Sequence, residues 1–258
     1  MINFRKKKFF KIPFPIIQVD DLISNKSCEK LRMDIEKQKK FDDLVMNGRN
    51  RINKGSSTFN NFLSKSKSAK KIYDKLNSKD TFNKILKIFN DNFHNFPWRF
   101  HSKKLKYSKL NYGKQKGKVL TFQKKKDKKQ NVVNLDIDFS ISNNGYYREP
   151  HRDRSTRIIN FLIYLNSIPK KNGGTLEIFN VRDNYGSNLI KYQRFPNRKS
   201  VKIEKKFQPK KNQAIFFLSS PNSYHGVSKF ISKNNVKRTF IYGSFSLNKR
   251  VKWSFLNN

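Results

Sequence analysis

Residues 134–166 read NLDIDFSISNNGYYREPHRDRSTRIINFLIYLN, and they hold the pattern that decides the fold of this chain. Two stretches rich in β-branched and aromatic residues, 134–142 and 157–166, flank an Asn-Gly turn and a polar segment. The pattern predicts two strands of a β-sheet. The polar segment between the two strands carries the side chains that can bind a metal or take part in catalysis.

The same strand pattern recurs on both sides of this stretch. Further segments with β-branched and aromatic enrichment, separated by Gly-Gly, Pro-Asn and Lys-Asn turns, lie at 119–123, 175–179, 202–208, 213–218 and 238–246. Many short strands after a helical flank favour a mostly β fold, a jelly roll with its helices packed on one side.

The N-terminal part of the chain has a different character. Residues 11–19 predict a short strand with proline at its edge, and apolar residues recur at helical spacing in 25–44 and in 67–93. The polar, glycine-bearing segment 47–58 predicts a loop. We therefore expect one domain with two zones, an N-terminal strand and helical flank (1–104) and a β core (105–258).

The net charge of +40 on 258 residues is the most prominent bulk property. A cationic surface attracts nucleic acid through counterion release, but lysine prevails over arginine, is spread along the chain, and accompanies abundant Asn, Phe and Ile, as an AT-rich codon bias would produce. The single cysteine, Cys28, excludes an internal disulfide framework. With no run long enough to span a membrane, these features predict a cytoplasmic protein without membrane contact.

Two of the four histidines stand in a pattern typical of metal sites. His151 and Asp153 are two apart, and on an extended chain residues i and i+2 point to the same side, so imidazole and carboxylate can converge on one ion. His225 follows a hydrophobic strand and a Pro-Asn turn. Two histidines and one carboxylate leave coordination positions open, as in iron(II) oxygenases, whereas a closed structural zinc site usually needs four ligands. His94 and His101 lack such a pattern.

The order of these motifs closely resembles the 2-oxoglutarate/Fe(II)-dependent oxygenase superfamily, and within it the prolyl 4-hydroxylase-like branch. The likeness is carried by segments within about 134–246, namely GYYREPHRD, RIINFLIYLN, GGTLEIF, QAIFF with YHGVS, and the strand that Arg238 opens. The resemblance implies a double-stranded β-helix whose mouth holds Fe(II) on His151, Asp153 and His225. It also implies 2-oxoglutarate as cosubstrate and O2 as oxidant.

The resemblance also suggests roles for individual residues. Arg238 would bind the far carboxylate of 2-oxoglutarate, with Lys237 as the rival because prolyl hydroxylases often use lysine there. Tyr147 lies one position from where these enzymes often carry a tyrosine near the substrate. An ungapped count back from His151 places Arg148 at that position instead, and strand packing is the other interpretation of Tyr147. Ser142 and Leu176 stand where these enzymes carry a tyrosine and a threonine.

Three function hypotheses follow. The first is hydroxylation of an aliphatic carbon, of a peptide side chain such as proline or else of a small molecule or glycan, with release of succinate and CO2. The second is a nucleic-acid oxygenase or demethylase, which lysines clustered at the metal mouth would support and even scatter would oppose. The third is a non-catalytic basic jelly-roll binding module. Residues 181–199 are a candidate rim of the mouth or an inert surface excursion, and the oligomeric state stays open.

Overall fold

The structure is a computed structural model that describes residues 2–45, 48–100, 105–109, 114–115, 118–119, 131–182, 193–232 and 235–255. Several sequence predictions fall outside these ranges. His101, most of the predicted strand 119–123, the lysine-rich segment after it, and the central part of 181–199 lie outside the described residues.

Four helices occur in the described part of the chain, and each is capped by a serine. They are α1 Asn25–Glu36, α2 Ser57–Lys65, α3 Lys67–Leu76 and α4 Lys79–Asn92. Ser24, Ser56, Ser66 and Ser78 each accept a hydrogen bond from the backbone N–H three residues on. The helical stretch predicted over 67–93 is divided into two helices, α3 and α4, because Ser78 caps a new helix after Asn77. None of the described helices is long and apolar enough to cross a membrane.

The strands in chain order are β1 Lys6–Phe10, β2 Ile16–Asp20, β3 Asp43–Val45, β4 Arg49–Asn53, β5 Trp98–Phe100, β6 Leu105–Tyr107, β7 Lys114–Gln115, β8 Lys118–Val119, β9 Asn131–Ser142, β10 Arg148–His151, β11 Arg157–Tyr164, β12 Leu176–Val181, β13 Val201–Phe207, β14 Gln213–Leu218, β15 His225–Val227, β16 Arg238–Leu247 and β17 Trp253–Phe255. The strands predicted from 134 onward are confirmed within a few residues. The strand predicted over 11–19 begins only at Ile16, as β2, and it pairs antiparallel with a strand that was not predicted, β1.

Two sheets form the β core. The larger one has the order β1-β2-β14-β11-β16-β9-β4-β3, with β6 added beside β9, and the smaller one has the order β10-β15-β12-β13. The interleaving of sequence between the two sheets is that of a double-stranded β-helix, so the predicted jelly roll is confirmed. The two predicted zones share the larger sheet, because β1 to β4 extend it on both edges. The zone boundary near residue 105 stays a prediction.

The predicted loop 47–58 is wrong in one respect that matters for the site. Residues 49–53 form β4, which pairs antiparallel with β9 and places Arg49 opposite Ser142. Arginine and asparagine have little intrinsic strand preference, so this strand forms because a neighbour offers unpaired backbone groups, which the local sequence does not reveal.

The helices pack on one face of the larger sheet through aromatic contacts. Phe59 and Phe62 of α2 lie 5.7 and 5.1 Å from Phe139 of β9, and Phe82 of α4 lies 5.2 Å from Phe245 of β16 (ring centroids). Burial of such large rings supplies much of the hydrophobic stabilisation. This packing confirms helices on one side of the jelly roll and fixes the larger sheet as one wall of the cavity between the sheets.

Candidate active site

The three residues predicted as metal ligands lie together in the structure. His151 ends β10 and His225 begins β15, and these two residues are direct partners across the antiparallel pair, with ring centroids 4.5 Å apart. Asp153 follows two residues after the strand, with Oδ2 3.4 Å from His225 Nε2. One ligand atom from each residue lies within 4.8 Å of the others. Two imidazoles and one carboxylate at these separations fit a facial Fe(II) site.

Backbone carbonyls orient both imidazoles. Nδ1 of His151 lies 2.8 Å from the carbonyl oxygen of Glu149, and Nδ1 of His225 lies 3.0 Å from that of Ser223. A carbonyl only accepts, so Nδ1 carries the proton and Nε2 keeps its lone pair for a metal. Burial and the neighbouring His225 lower the pKa of His151 to about 3, which keeps this imidazole in the neutral, ligating form.

Asp153 is held by an arginine and a tyrosine. Arg157 Nη1 lies 2.8 Å from Oδ1 of Asp153, and the Tyr242 hydroxyl donates a 2.9 Å hydrogen bond to Oδ2. Burial by itself would raise the pKa of Asp153, but the Arg157 guanidinium and then His225 hold it well below its usual range. The carboxylate is therefore ionised and fixed in orientation, as metal ligation requires.

A buried arginine lines the cavity between the two sheets. Arg238, the first residue of β16, is fully buried, and its Nε donates a 2.9 Å hydrogen bond to the Gly174 carbonyl while Nη1 lies 3.4 Å from Ser142 Oγ. Its Nη2 has no hydrogen-bond partner among the residues that the structure describes. An unpaired buried guanidinium donor is costly, so this atom points to an anionic ligand such as the far carboxylate of 2-oxoglutarate.

Gly174 leaves the space that the Arg238 side chain occupies. Its φ of +67° lies in the left-handed region, and a Cβ at this residue would lie 2.9 Å from Arg238 Cδ. Glycine therefore allows both the turn and the close approach of the arginine. Lys237, the rival residue, is exposed, whereas Arg238 is fully buried, because adjacent residues of extended chain face opposite ways.

The site opens into a cavity of about 570 Å³ between the two sheets. Its lining includes the ligand triad, Arg238 and Leu176. Tyr147, the tentative substrate residue, is exposed and is not part of the lining, whereas Tyr146 is buried and lines the cavity. The placement of Tyr147 near the substrate therefore needs correction: adjacent residues of extended chain face opposite ways, and Tyr146 is the one that faces inward.

Sequence reasoning missed several residues of the cavity. Arg49 of β4 lines the cavity and forms a buried ion pair with Asp138, whose carboxylate also accepts a hydrogen bond from Ser140. Asp136 lines the cavity. The alternation of Asp136 and Asp138 along one strand indicates a pair of carboxylates on one face of the sheet. The partner of Asp138, Arg49, could not be predicted, because the composition of its segment is that of a loop. His94 is exposed and does not line the cavity.

The β core of the chain matches a known protein family. Residues 137–245 match the model of the 2OG-Fe(II) oxygenase superfamily. The matched segment is an oxygenase domain of this superfamily. The match runs from β9 to β16 and includes all three ligand residues and Arg238. The protein is accordingly an iron- and 2-oxoglutarate-dependent dioxygenase, and the hypothesis of a non-catalytic binding module is set aside.

Several solved structures of oxygenases are similar to this chain at low sequence identity. A prolyl 4-hydroxylase from Pseudomonas putida is 11% identical, with 90% of this chain and 91% of that chain covered and a TM-score of 0.46. A viral collagen prolyl hydroxylase from Paramecium bursaria Chlorella virus-1 is 13% identical, with 91% and 96% covered and a TM-score of 0.45.

HygX from Streptomyces hygroscopicus, solved with nickel and 2-oxoglutarate, is 11% identical, with 90% and 83% covered and a TM-score of 0.44. No curated protein matches the chain. Because these identities are low and the TM-scores stay below 0.5, the structural matches decide neither the branch of the superfamily nor the substrate.

Proposed function

We propose that this oxygenase hydroxylates an aliphatic carbon of its substrate at a centre built from His151, Asp153, His225 and Arg238. One observation carries the proposal. The three metal-ligating side chains and a buried arginine with an unpartnered Nη2 line the same cavity. The first group fits Fe(II), and the second fits the carboxylate of the cosubstrate.

Iron and 2-oxoglutarate supply the oxidising chemistry when bound, with O2 consumed, succinate and CO2 released, and one oxygen atom delivered to a substrate C–H bond. The chain supplies geometry and charge. The Glu149 and Ser223 carbonyls hold the Nδ1 protons of the two histidines, and Arg157 and Tyr242 hold the carboxylate of Asp153. Arg238 offers a fixed cation in a site closed to water, where its attraction for a carboxylate is strong.

The substrate belongs to the same proposal. A peptide side chain such as proline is the first class to test, because the order of motifs resembles the prolyl 4-hydroxylase-like branch, and a small molecule or glycan is the second. A nucleic-acid substrate is less favoured, since Lys54 is the one lysine that lines the cavity in the described part of the chain. Location in the cytoplasm stays a prediction.

An anaerobic titration of the metal-free protein with Fe(II) and 2-oxoglutarate tests the centre. We expect the weak visible charge-transfer band of the chelate, followed on admission of air by slow formation of succinate. If both ligands are in excess and no band appears, the proposed centre is wrong. Screening of proline-containing peptides and of small molecules for stimulated succinate release then tests the substrate class.

A further inference from the structure

The arginines and lysines of this chain are distributed very differently around the cavity. The sequence contains 44 lysines and 14 arginines. Seven of the arginines line the cavity, whereas Lys54 is the one lining lysine among the described residues. A codon bias toward lysine adds charge anywhere on the surface and does not place arginine selectively at one site. The concentration of guanidinium groups at the cavity therefore needs a local cause.

Four of the seven cavity arginines already have a partner or a role. Arg49 pairs with Asp138, Arg157 pairs with Asp153, and Arg51 also has an interaction partner. Arg238 is assigned to the cosubstrate. The remaining three are Arg148, Arg154 and Arg194, which we call the rim trio. Within the described ranges, no carboxylate lies within ion-pair distance of any rim-trio guanidinium.

The rim trio surrounds the segment that carries two of the metal ligands. Arg148 lies three residues before His151 on β10, and Arg154 directly follows Asp153. Arg194 is joined to this segment by two hydrogen bonds with Arg152, one from the Arg152 N–H to the Arg194 carbonyl (2.9 Å) and one from Arg194 Nε to the Arg152 carbonyl (3.1 Å). Neither terminal nitrogen of Arg194 has a hydrogen-bond partner among the residues that the structure describes, so both can bind a ligand.

The like charges of the rim trio are close enough to interact. Burial lowers the pKa of Arg194, and the guanidinium groups of Arg154 and Arg148 add to this effect, although Asp153 opposes it. Three cations held near one another, with no described carboxylate at ion-pair distance, are stabilised by a bound anion. Beside them, the exposed ring of Phe195 lies 6.3 Å from the His151 ring (centroids) and offers an apolar contact at the mouth of the cavity.

We propose that the substrate carries a phosphate or carboxylate group, that the rim trio binds this oxyanion, and that the carbon to be hydroxylated then faces the ligand triad. This inference rests on the proposed function and narrows its substrate class. Guanidinium binds both oxyanions through paired N–H donors, which an ammonium group does not provide. The oxyanion belongs to a small molecule or to a modified or acidic peptide side chain.

A nucleic-acid strand fits the distribution of charge less well. A strand needs a continuous cationic track along its backbone, and among the described residues Lys54 is the one lysine of the lining that could contribute to such a track. The unpaired cations are instead concentrated at the rim of one cavity of about 570 Å³, a size that suits a small ligand or a single side chain.

The test compares a triple variant, Arg148→Gln with Arg154→Gln and Arg194→Gln, with a charge-matched control, Lys8→Gln with Lys65→Gln and Lys202→Gln, which changes exposed lysines outside the cavity. Each protein is loaded anaerobically with Fe(II) and 2-oxoglutarate and titrated calorimetrically. The probes are glycerol phosphate and glycerate against glycerol, phosphoserine against a heptapeptide with a central phosphoserine, and a single-stranded 12-nucleotide DNA.

We expect glycerol phosphate but not glycerol to bind the wild-type protein, and its Kd to rise at least tenfold in the rim-trio variant but less than twofold in the control. Tighter binding of free phosphoserine or of the heptapeptide identifies the source of the oxyanion. The proposal is overturned if neither the phosphate esters nor glycerate bind, if the rim-trio variant binds them unchanged, or if only the DNA binds.

The chelate band keeps this test separate from that of the proposed function. The rim-trio variant should form the band at unchanged Fe(II) and 2-oxoglutarate concentrations, because Arg238 and the ligand triad are intact. If the wild-type protein binds glycerol phosphate but shows no band, the proposed anion site stands and the proposed iron centre is wrong. The single variant Arg194→Lys keeps the charge, and a Kd raised severalfold in this variant shows that the paired donors matter.

Discussion

His151 and His225 are direct partners across the antiparallel strands β10 and β15, with their ring centroids 4.5 Å apart. Seventy-four positions of sequence separate them, and the register of one strand pair brings them together. The site therefore depends on strand pairing as much as on ligand chemistry. A shift of this register by one residue would point one imidazole away from the metal site.

Replacement of either histidine should abolish metal binding. We expect His151→Ala and His225→Ala each to lose the Fe(II)/2-oxoglutarate band and to form succinate at least 100-fold more slowly than the wild type, because two ligands do not complete the facial site. The control is His94→Ala, which removes an exposed histidine that does not line the cavity. A band retained in both site variants would contradict the assignment.

The Arg238→Met variant should bind 2-oxoglutarate weakly. Loss of a charge-assisted, desolvated contact costs about 2–3 kcal/mol, which corresponds to a Kd about 30- to 150-fold higher. The Lys237→Met variant removes a charge from the adjacent, exposed position and should leave the Kd within twofold. Titration of both variants with 2-oxoglutarate at saturating Fe(II) compares the two residues, and the opposite ranking would assign the cosubstrate to Lys237.

The Tyr242 hydroxyl should act on metal binding through Asp153. In Tyr242→Phe, the Oδ2 atom of Asp153 loses the hydrogen bond of 2.9 Å that fixes its orientation. We expect Fe(II) affinity to fall roughly tenfold, in the range typical of residues that orient metal ligands. Tyr107→Phe is the matched control, since its hydroxyl bonds to Asn77 away from the cavity. Equal Fe(II) affinity in all three proteins would show that Arg157 alone fixes the carboxylate.

The metal-free protein should lose stability as the pH falls from 7 to 5. The pKa of His151 is lowered from 6.5 to about 3 by burial first and then by His225, so between these values the unfolded chain binds a proton that the folded protein does not. Unfolding thus takes up a proton, and the free energy of unfolding falls by up to about 2 kcal/mol between pH 7 and pH 5.

Urea denaturation at the two pH values measures this loss. His151→Gln removes the titrating group, so we expect the difference between pH 7 and pH 5 to shrink by about the same amount. An unchanged difference in the variant would mean that other groups cause the pH dependence.

The class of fold and the kind of chemistry can both be predicted from the amino-acid sequence. The strands from residue 134 onward are long, apolar and separated by clear turns, so local pattern and final structure agree. The spacing of His151 and Asp153 and the position of His225 after a strand likewise carried the metal hypothesis, because ligand type and local geometry are properties of short segments.

Which other side chains line the cavity depends on tertiary contacts. Arg49 reaches Asp138 because β4 pairs with β9, although its own segment has the composition of a loop. Arg157 and Tyr242 meet at Asp153, and Arg194 joins the loop after β10 through backbone hydrogen bonds. These contacts join residues far apart in the chain, and their stability comes from long-range packing and pairing that no local pattern encodes.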